Sequence, residues 1–471
     1  MSHHGMMGLN GLNHFCHYTK DQSTINGRFG RLFSYLPPLY TDPDILEGLG
    51  KKNGPMDGGT GSDRTSTVPV GQVFFGQFID HDITLDTSSS LTSVNSASDT
   101  VNVRTPTLDL DNIYGDGPEG APFFYEQAGK FAGVKLLVGA DVSGASPELK
   151  ADLVRSPRGR AVIGDPRNDE NRIISQLQLG MINFHNRVAD KLSDDHEGRE
   201  LFEESRKLVT AHYHWAIIYD FLADMCGSAV VWDILSQGRQ FYCADEGFPY
   251  IPVEFSIAAY RYGHSMAPQK IQVQKNGAAH SLFGTVLGGG FTPLSDLKAV
   301  VDYHEIFNTS AGRQVQMAEK LDTKMAAILL KLPFVGAGDE ASLATRNLLR
   351  GQSFLLPSGE TVAEEMGRSD SEIKKVSKLA DDMSGDKLGG KTPLWFYILA
   401  EAERIGRETA PGNFDKGEGL GPVGARIVAE VLIGLMELDP RSFLSMNRSW
   451  SPKDGLGADV VGIGDMLTYS G

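Results

Sequence analysis

The sequence predicts a mainly α protein, one large helical domain with very little β-sheet. Apolar residues recur at helical spacing over long stretches, most clearly 172–192, 200–225, 393–404 and 423–436. β-prone pieces are short and gather in a Gly-rich stretch, 277–293, where a hairpin is expected. A chain of 471 residues with 41% hydrophobic content carries enough apolar material for one large core.

The elements follow in order. Residues 1–67 are rich in Gly, Pro, Asn and Asp and read as an irregular arm packed on a body of residues 68–471. Val73-Phe74-Phe75 opens an apolar helix that ends on Gly76-Gln77-Phe78-Ile79-Asp80-His81-Asp82. A Ser/Thr-rich surface loop spans 86–99. A short amphipathic helix is expected over 146–154, then a polar lead-in to the helix 172–192. Helical patterning continues over 228–236 and from 253 to 266, and returns at 323–330 and 343–350. The count reaches a dozen or more helices.

Three places carry chemistry. In the first, an apolar helix ends on Asp80, His81 and Asp82, whose burial would cost several kcal/mol per unpaired charge, so each would need a partner. Gln77 and His81 lie four apart and share a helix face. The second is 105–111, where Thr105, Thr107, Asp109 and Asp111 alternate, a spacing that surrounds a hard cation with oxygens; Ca²⁺ takes about six to eight of them. In the third, the run through Arg261 and Gly263 ends on His264, and a histidine there is either a hydrogen-bonded core residue or the ligand of a haem iron. Bland readings stand beside each: a solvated helix end, an edge strand with a polar face, a core imidazole. Arg167 with Glu170, and Asn347 with Arg350, are pairs three apart that would share a helix face; acidic residues at a helix start are common for dipole reasons alone.

Composition excludes several classes. A net charge of -16, from 44 basic and 60 acidic residues, argues against nucleic acid and anionic membrane surfaces as partners. Cys16, Cys226 and Cys243 are too few and too scattered for a disulfide framework or a zinc site. The N-terminus lacks the apolar core of a signal peptide, His3 and His4 read as solvated, and no stretch is long enough to insert in a membrane. The chain is then expected in the cytoplasm, or exported by a signal elsewhere, or cut from a longer parent. The sequence leaves oligomeric state open.

Five separated motifs, GQFIDHD, TPTLDLDNIYG, GDPRNDEN with its helix to HNRVAD, YRYGH and RNLLR, occur between Val68 and Met436 in one order. In that order they resemble the animal-type haem peroxidases of the peroxidase–cyclooxygenase superfamily, which has bacterial members. The resemblance implies a large helical domain around a buried haem b. Hydrogen peroxide would be reduced through an oxo-ferryl intermediate, with halide, thiocyanate or a small aromatic donor as reductant. It makes His81 the distal histidine with Gln77 beside it, Arg167 the distal arginine and His264 the iron ligand. Asn347 would accept from the imidazole N–H of His264, and Arg261 and Arg350 would pair with haem propionates. Asp82, Thr105, Thr107 through its carbonyl, Asp109 and Asp111 would hold Ca²⁺. The family has a hydroxyl residue where Asp111 stands, so this site carries an extra charge. Asp80 and Glu170 match the carboxylates that form haem esters in mammalian members; Asn171 replaces the methionine of a third, sulfonium link, so at most two esters are expected. A fatty-acid dioxygenase of the same superfamily is the alternative, but its radical tyrosine would stand at Arg261, between Tyr260 and Tyr262. A haem- and calcium-stabilised binding module without catalysis is the other.

Overall fold

The structure is a computed structural model that describes residues 29–60, 63–86, 89–91, 93–244, 248–336 and 338–470. His3, His4 and Cys16 lie outside the described residues. Eight helices of ten or more residues build the described body: α1 (Val70–Ile83), α2 (Arg172–Leu192), α3 (Gly198–Ala216), α4 (Ser228–Gln237), α5 (Leu343–Ser353), α6 (Asp370–Ser384), α7 (Leu394–Arg404) and α8 (Pro422–Leu438). They are expected to pack around one contiguous apolar core, and they do.

The ends of these helices follow from local chemistry. Asn171 caps α2, its side-chain oxygen accepting from the N–H groups of Ile173 and Ile174. At α8 the capping position is Gly421, which has no side chain to accept. Glu401 of α7 reaches over instead, and its carboxylate takes the N–H groups of Val423 and Gly424. α3 runs without a break through a π turn, Ile217–Phe221, into Leu222–Cys226, and Gly227 ends it at φ 89°, where a glycine is favoured.

Sheet is minimal, as expected. Four two-stranded pairs occur among the described residues: Phe29–Gly30 with Ile251–Pro252, Arg64–Pro69 with Met317–Glu319, Lys270–Ile271 with His280–Ser281, and Arg407–Ala410 with Asn413–Asp415.

Several boundaries differ from expectation. The 277–293 stretch does not fold back on itself; His280–Ser281 pairs upstream with Lys270–Ile271 and the rest is turns. Over 146–154 only Pro147–Lys150 is helical, and over 323–330 only the 3₁₀ turn Ala327–Leu330. The segment 253–266 is a π turn, a 3₁₀ turn and a short α-helix in succession (Glu254–Ala258, Ala259–Tyr262, Gly263–Met266). The described stretch ahead of residue 68 contains a helix, Pro43–Gly50, capped by Asp42, and its last residues belong to the strand Arg64–Pro69. It is fastened by Leu32 and Phe33 N–H on Glu254, Thr41 N–H on Gln352, and Ser66 and Thr67 N–H on Glu418.

Candidate active site

The C-terminal half of α1 carries Gln77, Asp80, His81 and Asp82. Far from a solvated end, His81 is 5% exposed and Asp82 not at all. Burial, with the Arg167 charge beside it, pushes the His81 imidazole down to about 3, so the ring is neutral over the physiological range. Its Nδ1 lies 2.6 Å from Asn168 Oδ1. Arg167 leaves the 3₁₀ turn Pro166–Asp169 and folds over the end of α1: its Nη2 donates to the carbonyls of His81 (3.1 Å) and Thr84 (2.6 Å) and pairs with Asp165 (2.7 Å). Gln77 Nε2 donates to Glu170 Oε1, and Thr84 Oγ1 donates to Asp80 Oδ1 at 2.8 Å. Burial raises both carboxyls, Asp80 and Glu170, against the pull of Arg167.

Next to His81 the 105–111 segment closes on Asp82. Ligand oxygens of Asp82, Asp109 and Asp111 lie within 4.8 Å of one another, and all three residues are buried. Asp82 Oδ1, the hydroxyls of Thr105 and Thr107, and both carboxylate oxygens of Asp109 have no hydrogen-bond partner. So many buried, unbonded acceptors converging on one point fit a hard dication, which would satisfy them together. Burial and the neighbouring Asp111 and Asp109 raise the Asp82 carboxyl, as expected where three acids are held together. The polar edge strand is therefore not what forms.

The extra acid, Asp111, has its own counter-charge. Arg104 is buried and donates to Asp111 Oδ1 (3.0 Å), Asp165 Oδ2 (3.0 Å) and the Gly164 carbonyl (3.1 Å). Asp165 in turn holds Arg167, so the cation loop and that arginine share one ion-pair network. Sequence reasoning missed Arg104, Asp165, Asn168 and Gln178. Asp165 sits inside the GDPRNDEN motif and was legible there; Arg104 and Gln178 are single residues in unremarkable contexts and carried no signal.

A second wall comes from 254–266 and α5. Burial, then the Arg261 charge, pushes His264 down to about 3. Its Nδ1 meets the Asn347 side-chain amide at 2.8 Å. The polarity of that contact is the reverse of the expected one: Arg261 Nη1 occupies Asn347 Oδ1 at 3.1 Å, so the amide nitrogen faces the ring. Arg261 is further tied to the Ser256 carbonyl at 3.0 Å, and burial with the nearby Arg350 lowers it to about 10, leaving it charged at neutral pH. Arg350 donates to Ser89 Oγ and lies 3.9 Å from Asp86.

Gln77, Asp80, Arg167, Glu170, Arg261 and His264 are all partly open to solvent, yet burial dominates the shifts of Asp80, Glu170, Arg261 and His264. These side chains are held among protein groups and still reach solvent. Asp80 feels the charges of both Arg167 and Arg261, which puts the two groups of residues within electrostatic reach of one another. At Gly263 a Cβ would meet only Val73 Cγ1, at 3.9 Å, leaving room beside His264. An imidazole, flanking arginines and a polar opposite wall around such a space fit haem.

A helical body with an oxygen-lined cation site one residue from a buried imidazole, and a second histidine held by an asparagine amide beside an arginine, has the groups of a metal- and cofactor-binding protein. The chain belongs to the animal haem peroxidase family: the family model matches residues 88–392, a span that holds 105–111, 167–170, 261–264 and 347–350 and begins just after His81. Membership implies haem as the prosthetic group. Human dual oxidase 2 is 24% identical over 294 residues, 56% of this chain but only 18% of that protein's length. Peroxidase A of Dictyostelium discoideum superposes with a TM-score of 0.59 at 15% identity, covering 88% of each chain. A fatty acid alpha-dioxygenase of Arabidopsis thaliana gives 0.60 at 16% identity over 92% of this chain and 76% of that one. These superpositions extend the mainly α architecture over nearly the whole molecule. No helix among the described residues is long and apolar enough to cross a membrane.

Proposed function

We propose that this chain is a peroxidase that reduces hydrogen peroxide and oxidises a small anionic or aromatic donor such as halide, thiocyanate or a phenol. The observation that carries the reading is His81, a buried, neutral imidazole beside an oxygen-lined cation site in a chain of the animal haem peroxidase family.

Haem, when bound, supplies the redox centre at which the O–O bond is broken. His264 is the residue to hold its iron. Arg261 and Arg350 would pair with its propionates, and Asp80 and Glu170 would be the carboxylates for ester links. An imidazole bound to metal through Nε2 keeps its proton on Nδ1 and needs an acceptor there, which strengthens it as a ligand. With haem bound, Asn347 would turn its oxygen to His264, and Arg261 would be free to pair with a carboxylate of the cofactor.

Neutral His81 takes the proton from the near oxygen of peroxide and returns it to the departing one. Arg167, permanently charged, sets the electrostatic field in which that oxygen leaves, and Gln77 orders the polar space beside it. Asp82, Thr105, Thr107, Asp109 and Asp111 hold Ca²⁺, and because Asp82 adjoins His81 the ion stiffens the helix end that carries the base. Residues 68–471 form the catalytic unit and 1–67 the arm.

The test is peroxide-dependent oxidation of a phenolic dye by haem-loaded protein. His81→Ala is expected to lower its kcat/KM by about 10²–10⁴. An unchanged rate would remove His81 from catalysis. Oxygen uptake with linoleate, in place of dye oxidation, would mark the chain as a dioxygenase instead.

A further inference from the structure

A neutral histidine accepts a proton only through the ring nitrogen that lacks one, so the action of His81 depends on its tautomer. Three hydrogen bonds in a row bear on this. His81 Nδ1 lies 2.6 Å from Asn168 Oδ1, Asn168 Nδ2 donates to Gln178 Oε1 at 2.7 Å, and Gln178 Nε2 donates to the backbone carbonyl of Asn112 at 3.0 Å. Every residue in the row is buried.

The direction of the row is forced from its far end. A backbone carbonyl only accepts, so Gln178 must turn its nitrogen to Asn112 and leave its oxygen facing Asn168. Asn168 must then turn its nitrogen to that oxygen and leave its own oxygen facing His81. Reversing either amide would set acceptor against acceptor in a buried place, where each unmade bond is costly. An oxygen on Nδ1 demands a proton there, and in the neutral ring Nε2 is then bare.

We propose that Asn168 and Gln178 are positioning residues that lock His81 with its proton on Nδ1 and its lone pair on Nε2, the orientation being anchored by the Asn112 carbonyl. Asn112 follows Asp111 in the short helix Asp111–Tyr114, so the loop that gathers the cation's oxygens also orients the base. Gly164 lets the two parts meet, since a Cβ there would overlap the carbonyl oxygens of Asp111 and Asn112. The relay adds a second hold on His81 to its adjacency to Asp82, and both lead to the same loop. The inference rests on His81 being the base, but the tautomer is a property of the folded chain and is measured without that assumption.

The experiment is ¹⁵N NMR of the full chain labelled at histidine, with the His81 signals identified by their loss in His81→Gln. The expected spectrum shows a protonated Nδ1 and a bare Nε2. Asn168→Leu and Gln178→Leu should give mixed tautomers. Asn168→Asp, which keeps an acceptor on Nδ1 at the expense of the Gln178 contact, should retain the Nδ1–H form. In haem-loaded protein, association of cyanide, which must leave its proton on a base, should slow roughly 10²-fold in Asn168→Leu and recover to within a few-fold in Asn168→Asp. A proton on Nε2 in the unaltered chain overturns the proposal, as does an unchanged tautomer in a folded Asn168→Leu. A chain that shows the expected tautomer but binds no haem would defeat the peroxidase reading and leave this one standing.

Discussion

At the scale of single residues, the cation loop turns on Arg104. Three carboxylates within one buried cluster repel, and here one of them is balanced from inside the protein by a guanidinium that Asp165 also shares. Removing one member of a buried ion pair leaves the other charge stranded, at a cost of about 3–5 kcal/mol. Arg104→Met is therefore expected to lower the unfolding free energy by about that amount, read from urea denaturation. Added Ca²⁺ should recover part of it, because the ion takes over some of the charge. Arg104→Met with Asp111→Ser should recover part even without calcium, since the acid that lost its partner is gone. Equal losses in the single and double variants would mean that Arg104 serves Asp165 and Arg167 instead of the loop. None of this is visible in the alternation of 105–111, which groups the oxygen-bearing side chains and carries no sign of the guanidinium at 104. Spacing makes Asp111 one of four alternating oxygen-bearing side chains and the family resemblance makes it an added charge; only folding brings Arg104 to it.

At the scale of elements, what could be read depended on whether a segment's fold was set by its own pattern. α2 begins and ends where its apolar period does, because one inward stripe and the Asn171 cap are properties of the segment. The stretch 253–266 was legible as helical but not as a change of helix type. Its Glu254 is held by Leu32 and Phe33 N–H groups from the arm more than two hundred residues away. The Gly-rich 277–293 stretch was misread as a hairpin for a similar reason. Gly290 serves close approach to a distant turn: a Cβ on it would overlap the Glu170 carbonyl and come within 2.8 Å of the Asp169 carbonyl, while Phe291 N–H donates to Asp169 O at 2.7 Å. That turn is itself fixed by Arg155, which bridges Asp152 and Asp169 in the interior. Gly290→Ala should thus push this segment off the Glu170 turn. The expected result is a loss of about 1–3 kcal/mol in stability and faster transfer of haem to an acceptor protein, followed by absorbance. Full stability in the variant would show that the contact yields without consequence.

At the scale of the whole molecule, so much polar chemistry is buried that stability must depend on pH, and the groups pull in opposite directions. The continuous helical stretch from α3 to Cys226 carries one of each kind. Burial pushes His212 down to about 4, against the Val460 carbonyl it bonds. Over the window from about 4 to 6.5 the unfolded chain binds a proton there and the folded one does not, so this histidine favours folding more as pH rises and less as it falls. Asp224 behaves oppositely. Burial, then the charge of Asp220, pushes it up to about 8, against Arg407 and Gln72. From about 4 to 8 the folded chain holds the proton that the unfolded one has released, so stability falls as pH rises, by up to about 1.4 kcal/mol per unit. The two slopes cancel between about 4 and 6.5, and only the acid's remains above that. Asp224→Asn cannot titrate, so its stability relative to the parent should climb from pH 4 to 8 and level off beyond. His212→Gln should show a deficit that shrinks as pH drops from 6.5 to 4. Urea midpoints taken across this range for both variants and the parent measure the two trends separately. Parallel curves for Asp224→Asn and the parent would mean that this carboxyl is ionised in the folded protein, with Arg407 and Gln72 outweighing its burial.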